Sequence, residues 1–397
     1  MSSYTRRSLN GIWVGDCIGN LGQLYFVHDI LKALEKGIFK FGPQLDKFHK
    51  QFQYSDDTEE AIVLYNHLKT NKTVVQDTLA KEFATRYYTR DSDGEIYGYG
   101  LNTRKVLKDI YDGIHWSTAN KIIKKAEGMP SHIDSLVDSL TTGRGFKEAM
   151  SDVNKKLQEQ RNAIKGQRLE GSCGNGSAMR VAVLGAYLFE NDSEEDTIVG
   201  PNEFSRRDRE IITEAVLQAE VTHCHPEGIA GSIAITKLAH MIVYDLLTDW
   251  PIEKYYSELL RIVPQGQVRD GIERASNLPL DLPVGKVIEV LGNGQHVTCQ
   301  DTVPFCCYEV IKHLFVTDNK DRYEKAIIET SMAFGDVDTN CAIVGGCIGI
   351  ISPPPEKWVN FCQPMEGVIE EGIPEVELNI PETPLTAGSR QLQGGGI

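Results

Sequence analysis

Two short acidic stretches stand out by residue type and order: "SDDTEE" at 55–60 and "GDVDTN" at 335–340. Each sets aspartates and a hydroxyl just ahead of an apolar or small-residue run, "AIVLY" in the first case and "CAIVGGCIGI" in the second. Aspartate at a helix start is stabilised by the helix dipole and by capping, and "DDTE" fits a capping box running from Asp56 to Glu59. The same groups are all-oxygen ligands, which suit hard ions such as Mg²⁺, Mn²⁺ or Ca²⁺ rather than zinc. One stretch alone reads as a cap. Two of them would bring Asp56, Asp57, Asp336 and Asp338, with Ser55, Thr58 and Thr339, to buried helix starts. Four such carboxylates repel one another unless a cation is present. Two ions held by such a set orient a substrate and activate water.

Glycine-rich turns lie between the two stretches. "YGYGLNTRKVL" places Gly98 and Gly100 before a helix, with Asn102 as its expected cap, and "GSCGNGSAMRV" places Gly171, Gly174 and Gly176 before another. Such turns serve as sharp connections or offer backbone N–H groups to phosphate. "THCHPEG" carries His223 and His225 two residues apart, a spacing that does not face one way on a helix. It reads as a turn before Pro226, with His223 capping or touching a ligand.

The elements that must position these residues are mostly helical by period. Helical spacing runs through 24–39, "DDTEEAIVLYNHL", "NTRKVLKDIYDGI" with Val106, Leu107, Ile110 and Tyr111 on one side, "GSAMRVAVLGAYLF", "DREIITEAVLQAEVTH" and "PEGIAGSIAITKLAHMIVYDLL". The last begins with Pro226 at a first helical position. Small residues Ala342, Gly345, Gly346 and Gly349 mark the helix after "GDVDTN" as central and closely packed. "VIEVLGNGQHVT" is the one strand signal, two β-rich arms around Gly292–Gly294. The expectation is an all-α domain with one small hairpin at most. Residues 128–170 are more polar and read as peripheral helices or an insertion in a domain spanning 1–374. The tail 375–397 lacks period and reads as extended or disordered.

The chain has 397 residues, a formal net charge of −15 and 24% charged residues. That balance argues against sequence-independent nucleic-acid binding, which needs clustered Lys and Arg. No apolar run reaches the roughly 20 residues a membrane span needs, and the first residues lack the apolar core of a secretory signal. Nine cysteines without a CxxC pair fit reduced thiols in a cytoplasmic setting.

In order, "VGDCIGN" (14–20), "SDDT" (55–58), "YGYG" (97–100), "GNGSAMRVA" (174–182), "THCHP" (222–226) and "GDVDTN" (335–340) resemble the motif series of the ADP-ribosylglycohydrolase family. That family includes the dinitrogenase reductase-activating glycohydrolases and the ADP-ribosyl-acceptor hydrolases. The resemblance implies a compact orthogonal helical bundle with a binuclear Mg²⁺ (or Mn²⁺) site. It carries Ser55, Asp56, Asp57, Asp336, Asp338 and Thr339 onto the metals. It places Gly98, Gly100, Gly171, Ser172, Cys173, Gly174, Asn175 and His223 along the ADP-ribose pocket. The implied reaction is hydrolysis of a glycosidic bond between ADP-ribose and a protein or small-molecule acceptor, with Asp56 or Asp57 as the base for water. One departure is Gln23, where several family members carry a Glu that gates or ligates the metals. An amide keeps the oxygen and loses the charge. The rivals are a non-catalytic ADP-ribose binder or crystallin-like relative, and a metal-dependent phosphohydrolase.

Overall fold

Gly11, Gly15 and Gly19 recur every four residues in the first helix. They meet a second helix that runs the opposite way, with Gly345, Cys341 and Val337 as their respective partners. A Cβ on Gly11 would stand 2.1 Å from the Gly345 carbonyl oxygen, and one on Gly15 would stand 2.2 Å from that of Cys341. Backbone therefore lies on backbone. Only glycine allows this separation, and the crossing ties the helix at residues 4–22 to the one at 337–348.

The computed structural model describes residues 2–22, 32, 51–91, 98–120, 171–192, 204–248, 250–318 and 320–370. Within them the helices are α1 (Tyr4–Gly22), α2 (Asp56–Asn71), α3 (Gln76–Asp91), α4 (Leu101–Tyr111), α5 (Trp116–Ala119), α6 (Gly176–Met179), α7 (Ala182–Glu190) and α8 (Arg206–Glu220). They continue as α9 (Pro226–Thr248), α10 (Ile252–Ile262), α11 (Gln267–Ser276), α12 (Val284–Leu291), α13 (Cys299–Val316), α14 (Arg322–Ser331), α15 (Val337–Ile348) and α16 (Glu356–Val359). The fold is all-α. The expected helix at 24–39 (Lys32 apart), Gln23, the polar segment 128–170 and the tail 375–397 lie outside the described residues. All nine cysteines are free. No helix among the described residues is long and apolar enough to cross a membrane.

α1, α9, α13 and α15 form the middle of the bundle. α9 is buried from Ile229 to Val243 and packs on α6, α7, α8 and α13, while α15 lies against α1, α13 and α14. α9 starts at Pro226, where a missing N–H costs nothing, and His225 Nδ1 accepts the Glu227 N–H at 3.1 Å.

Three local expectations need correction. The hairpin does not form: among the described residues there is no strand, only isolated bridges at Phe52–Cys362 and Gly174–Thr298. Val284, Val287, Ile288 and Leu291 follow a helical period, and burying Val287 and Leu291 on one face outweighs the β-propensity of valine and isoleucine. Asn102 does not cap α4, whose N-cap is Gly100 with no side-chain bond. Tyr111 leaves the buried stripe of Val106, Leu107 and Ile110 and instead stacks on Tyr88, ring centroids 4.1 Å apart.

A buried cation clamps the layers. Arg180 is fully buried between α6 and α7. It donates to Glu60 Oε2 of α2 at 2.6 Å, to Gln218 Oε1 and carbonyl of α8 at 2.9 and 3.0 Å, and to Thr222 Oγ1 at 2.9 Å. Its guanidinium sits 4.3 Å from the Phe83 ring of α3. Removing one partner of such a pair costs about 3–5 kcal/mol, because the other charge is stranded.

Two predictions follow from this packing. Gly15→Val should lower stability by about 3 kcal/mol or more, since neither backbone can retreat. Gly285→Ala, where a Cβ meets nothing within 4 Å, should be neutral or stabilising by up to about 1 kcal/mol. Chemical denaturation of both variants checks the contrast.

The second concerns His240, whose ring is buried on α9 against Phe189 at 5.5 Å. Burial, with Lys237 and Arg207 nearby, pushes its pKa down to about 3 from 6.5. The unfolded chain then binds a proton that the native state refuses. The stability from neutral His240 is complete above pH 6.5 and is lost as pH falls toward 3. The slope approaches about 1.4 kcal/mol per pH unit. His240→Leu should lose that slope, so the stability difference from wild type should be constant above pH 6.5 and shift steadily below it.

Candidate metal centre

The start of α2 is where the first acidic stretch folds. Ser55, not Asp56, is the N-cap: its backbone is extended and its Oγ accepts the Asp57 N–H at 3.2 Å. The cap leaves Asp56 and Asp57 in the first turn, where the dipole favours negative charge. The start of α15 does the same for the second stretch. Gly335 turns the chain with φ +73° and Asp336 is the N-cap. Asp338 and Thr339 enter the first turn, with Asp338 Oδ1 accepting the Thr339 N–H at 3.0 Å.

The two starts meet through a third helix. Asp16 projects from the middle of α1, one residue beyond the Gly15 contact. Asp16, Asp57 and Asp338 are all buried, and each offers an oxygen within 4.8 Å of the others. Asp16 Oδ2 accepts from Ser55 N at 2.8 Å, Thr58 N at 3.1 Å and Thr58 Oγ1 at 2.6 Å. Asp57 Oδ2 accepts from Ser55 Oγ at 2.9 Å and Thr339 Oγ1 at 3.3 Å. Both carboxylates thus have one oxygen fixed, while Asp16 Oδ1 and Asp57 Oδ1 are buried with no hydrogen-bond partner among the described residues.

Electrostatics mark the cluster as incomplete in itself. Burial, then the Asp338 charge, pushes Asp16 up to about 7. Burial and the Asp338 charge likewise bring Asp336 to about 8. Asp56 and Asp57 are raised well above the ordinary carboxylate range, chiefly by burial and then by neighbouring carboxylates: Glu60 and Asp338 for Asp56, Asp16 and Asp338 for Asp57. Orphaned buried oxygens and mutually repelling carboxylates in an all-oxygen donor set fit a hard divalent cation.

Around this core the other sequence-nominated residues divide. Gly98, with φ +86°, packs on Asp56 so closely that a Cβ would stand 1.9 Å from Asp56 Oδ1. Gly100 is exposed, and a Cβ there would meet nothing within 4 Å. The 171–176 turn is joined to the cluster by Asn175, whose Nδ2 donates to Asp336 Oδ2 at 2.6 Å and Thr302 Oγ1 at 3.0 Å. Ser172 Oγ accepts the Gly174 N–H at 3.1 Å, and the Cys173 carbonyl accepts the Cys299 N–H at 2.9 Å. Gly171, φ +108°, packs on Cys224. His223 wedges beneath the turn: a Cβ on Gly176 would lie 2.6 Å from its Cε1. Burial and Arg180 push His223 down to about 3, so it is neutral at pH 7 and supports the turn through shape. Its Nδ1 pairs with Thr222 Oγ1 at 2.8 Å.

Sequence reasoning missed three groups. Asp16 lies within "VGDCIGN", a stretch whose residue types alone do not mark a ligand. Its signal is a lone carboxylate inside a helix whose neighbours Val14, Cys17 and Ile18 are all buried. Arg180, in "GNGSAMR", holds the His223 turn through Thr222. Val297 and Phe334 are exposed and adopt positive φ, +54° and +57°. Such backbone strain in bulky residues is uncommon and clusters at functional sites. Val297 accepts the Asn175 N–H at 3.3 Å, and Phe334 leads into Asp336.

The model of the ADP-ribosylglycohydrolase family matches residues 3–378 of this chain. Among solved structures, a chain described as an ADP-ribosylglycohydrolase-related protein complex is similar at 16% identity and a TM-score of 0.47, covering 91% of this chain and 94% of that one. No curated protein matches. A match over nearly the whole sequence, on a fold that gathers the acidic motifs at one place, settles the family: the chain belongs to the ADP-ribosylglycohydrolases.

Proposed function

We propose that the protein is a metal-dependent hydrolase that cleaves the glycosidic bond between ADP-ribose and an acceptor, releasing free ADP-ribose. Family membership supports the glycohydrolase chemistry. The observation that carries the metal-dependent reading is the convergence of Asp16, Asp57 and Asp338, with two buried oxygens that have no partner among the described residues. Asp16, Asp57 and Asp338 would hold Mg²⁺ or Mn²⁺, with Asp336, Ser55 and Thr339 beside them. When bound, such ions supply positive charge that orients the ribose hydroxyls and lowers the pKa of a water.

The chain's own residues do the remainder. Ser55 and Thr339 hold Asp57 in one orientation by hydrogen bonds to the same oxygen. Asp56, pressed against Gly98 and raised in pKa by burial and Glu60, would take a proton from the attacking water. Gly98 and the 171–176 turn admit the diphosphate close to the backbone. The negative field of the carboxylates favours an oxocarbenium-like transition state.

The test is release of ADP-ribose from a panel of acceptors modified on arginine, serine or a nucleobase, with Mg²⁺ and with chelator. Wild type should turn over one class only with metal. Asp56→Asn should lose about 100- to 10,000-fold, the range of a general base. It should keep the thermal stabilisation that Mg²⁺ gives. Asp57→Asn should lose both. Full activity in the Asp56→Ala/Asp57→Ala double variant, or in chelator, contradicts the proposal. Binding of ADP-ribose without turnover by wild type would identify a non-catalytic relative, and phosphate release would identify a phosphohydrolase.

A further inference from the structure

A second ligand cluster lies away from the acidic one. Glu309 and His313 are four residues apart on one face of α13, and Glu329 reaches them from α14. The three side chains each offer an atom within 4.8 Å of the others. His313 Nε2 lies 3.5 Å from Glu309 Oε2 and 3.2 Å from Glu329 Oε2. Glu309 is 0% exposed, and among the described residues neither of its carboxylate oxygens accepts a well-formed hydrogen bond; its one close contact is the 3.5 Å approach of His313 Nε2. A buried carboxylate held by one long contact is costly unless more positive charge meets it.

His313 Nδ1 pairs with Thr317 Oγ1 at 2.9 Å. If Nδ1 carries the proton, that bond fixes the tautomer and turns the Nε2 lone pair toward the two glutamates. Protonated instead, Nε2 has one hydrogen for two carboxylates. Lys312 occupies only Glu329 Oε1, at 2.5 Å, and leaves Oε2 facing His313. With His313 neutral, Lys312 alone leaves the two carboxylates one positive charge short; a protonated His313 would balance the charge, but through contacts of 3.2 and 3.5 Å. One imidazole and two carboxylates form the donor set of a borderline divalent metal, and the outward bond from His313 to Thr317 is the support such ligands use. Glu329, whose side chain is 29% exposed, leaves the rim where water completes the shell and the ion enters.

We propose that Glu309, His313 and Glu329 form a structural site for one Zn²⁺-class divalent ion that pins α14 to α13. It is chemically distinct from the all-oxygen cluster of Asp16, Asp57 and Asp338, and it does not depend on the reaction proposed above. α14 runs through residues 332–335 into Asp336, so the ion would brace the helix that delivers the second acidic motif.

The experiment uses the full chain carrying Asp57→Asn and Asp338→Asn, which disables the oxygen cluster. Chelator-treated protein is titrated with Zn²⁺ alone by calorimetry, and its Tm is followed in parallel. One equivalent should bind and raise Tm by several degrees, and Mg²⁺ at equal concentration should do neither. His313→Gln and Glu329→Gln should each weaken binding at least tenfold. Glu329 lies at the rim, so its variant reads the site even if replacement of buried His313 prevents folding. Absence of Zn²⁺ binding, or binding unchanged in Glu329→Gln, overturns the proposal. No ADP-ribose release by the unsubstituted chain from any acceptor, with Zn²⁺ binding intact here, would fail the reading of function and leave this site standing.

Discussion

Backbone lies on backbone where α1 crosses α15, and the acidic cluster depends on that crossing. Gly11, Gly15 and Gly19 face Gly345, Cys341 and Val337 in antiparallel register, at separations that exclude any side chain. Asp16 follows Gly15, and Asp338 follows Val337. The register therefore sets how far apart these two carboxylates stand. A larger residue on either helix would push these two carboxylates apart. Packing density and carboxylate spacing are one constraint here, because interiors transmit small volume changes instead of absorbing them.

The second constraint is charge. Asp16, Asp56, Asp57 and Asp338 are buried together, with Asp336 half-buried beside them, an arrangement that opposes folding unless protons or cations intervene. The surroundings show both kinds of compensation. Glu60 is matched by Arg180 at 2.6 Å, and Asp208 by Lys237 and Arg261 at 2.7 and 2.8 Å. The central aspartates receive hydroxyls, backbone N–H groups and an amide from Asn175, but no basic side chain donates a hydrogen bond to them among the described residues. The contrast sets the carboxylates paired with basic side chains apart from the uncompensated ones, which the proposed function assigns to a cation.

Much of this was legible in the sequence, for reasons that particular residues make plain. Hydroxyl–carboxylate pairs ahead of apolar runs mark helix starts, so α2 and α15 could be placed along with their acidic first turns. Small residues at 342, 345 and 346 announced a close helix contact, though not its partner. Asp16 escaped because nothing local separates a buried ligand from an ordinary helical aspartate; its partners lie 39, 42 and 322 positions away in the chain. Arg180 escaped for the same reason, since Glu60, Gln218 and Thr222 become its neighbours only after folding. The misread hairpin has the opposite cause: valine and isoleucine favour strands locally, and tertiary burial of Val287 and Leu291 reversed that preference.

The central claim is that Asp16, Asp57 and Asp338 are brought together to hold a divalent cation. Mn²⁺ binding to the full chain, followed by electron paramagnetic resonance with Glu329→Gln as a fixed background, tests it most directly. The account predicts saturable Mn²⁺ binding that Mg²⁺ displaces and that Asp57→Asn weakens by at least about tenfold while the protein stays folded. Binding of equal strength in Asp57→Asn, or no saturable binding before the substitution, would contradict it.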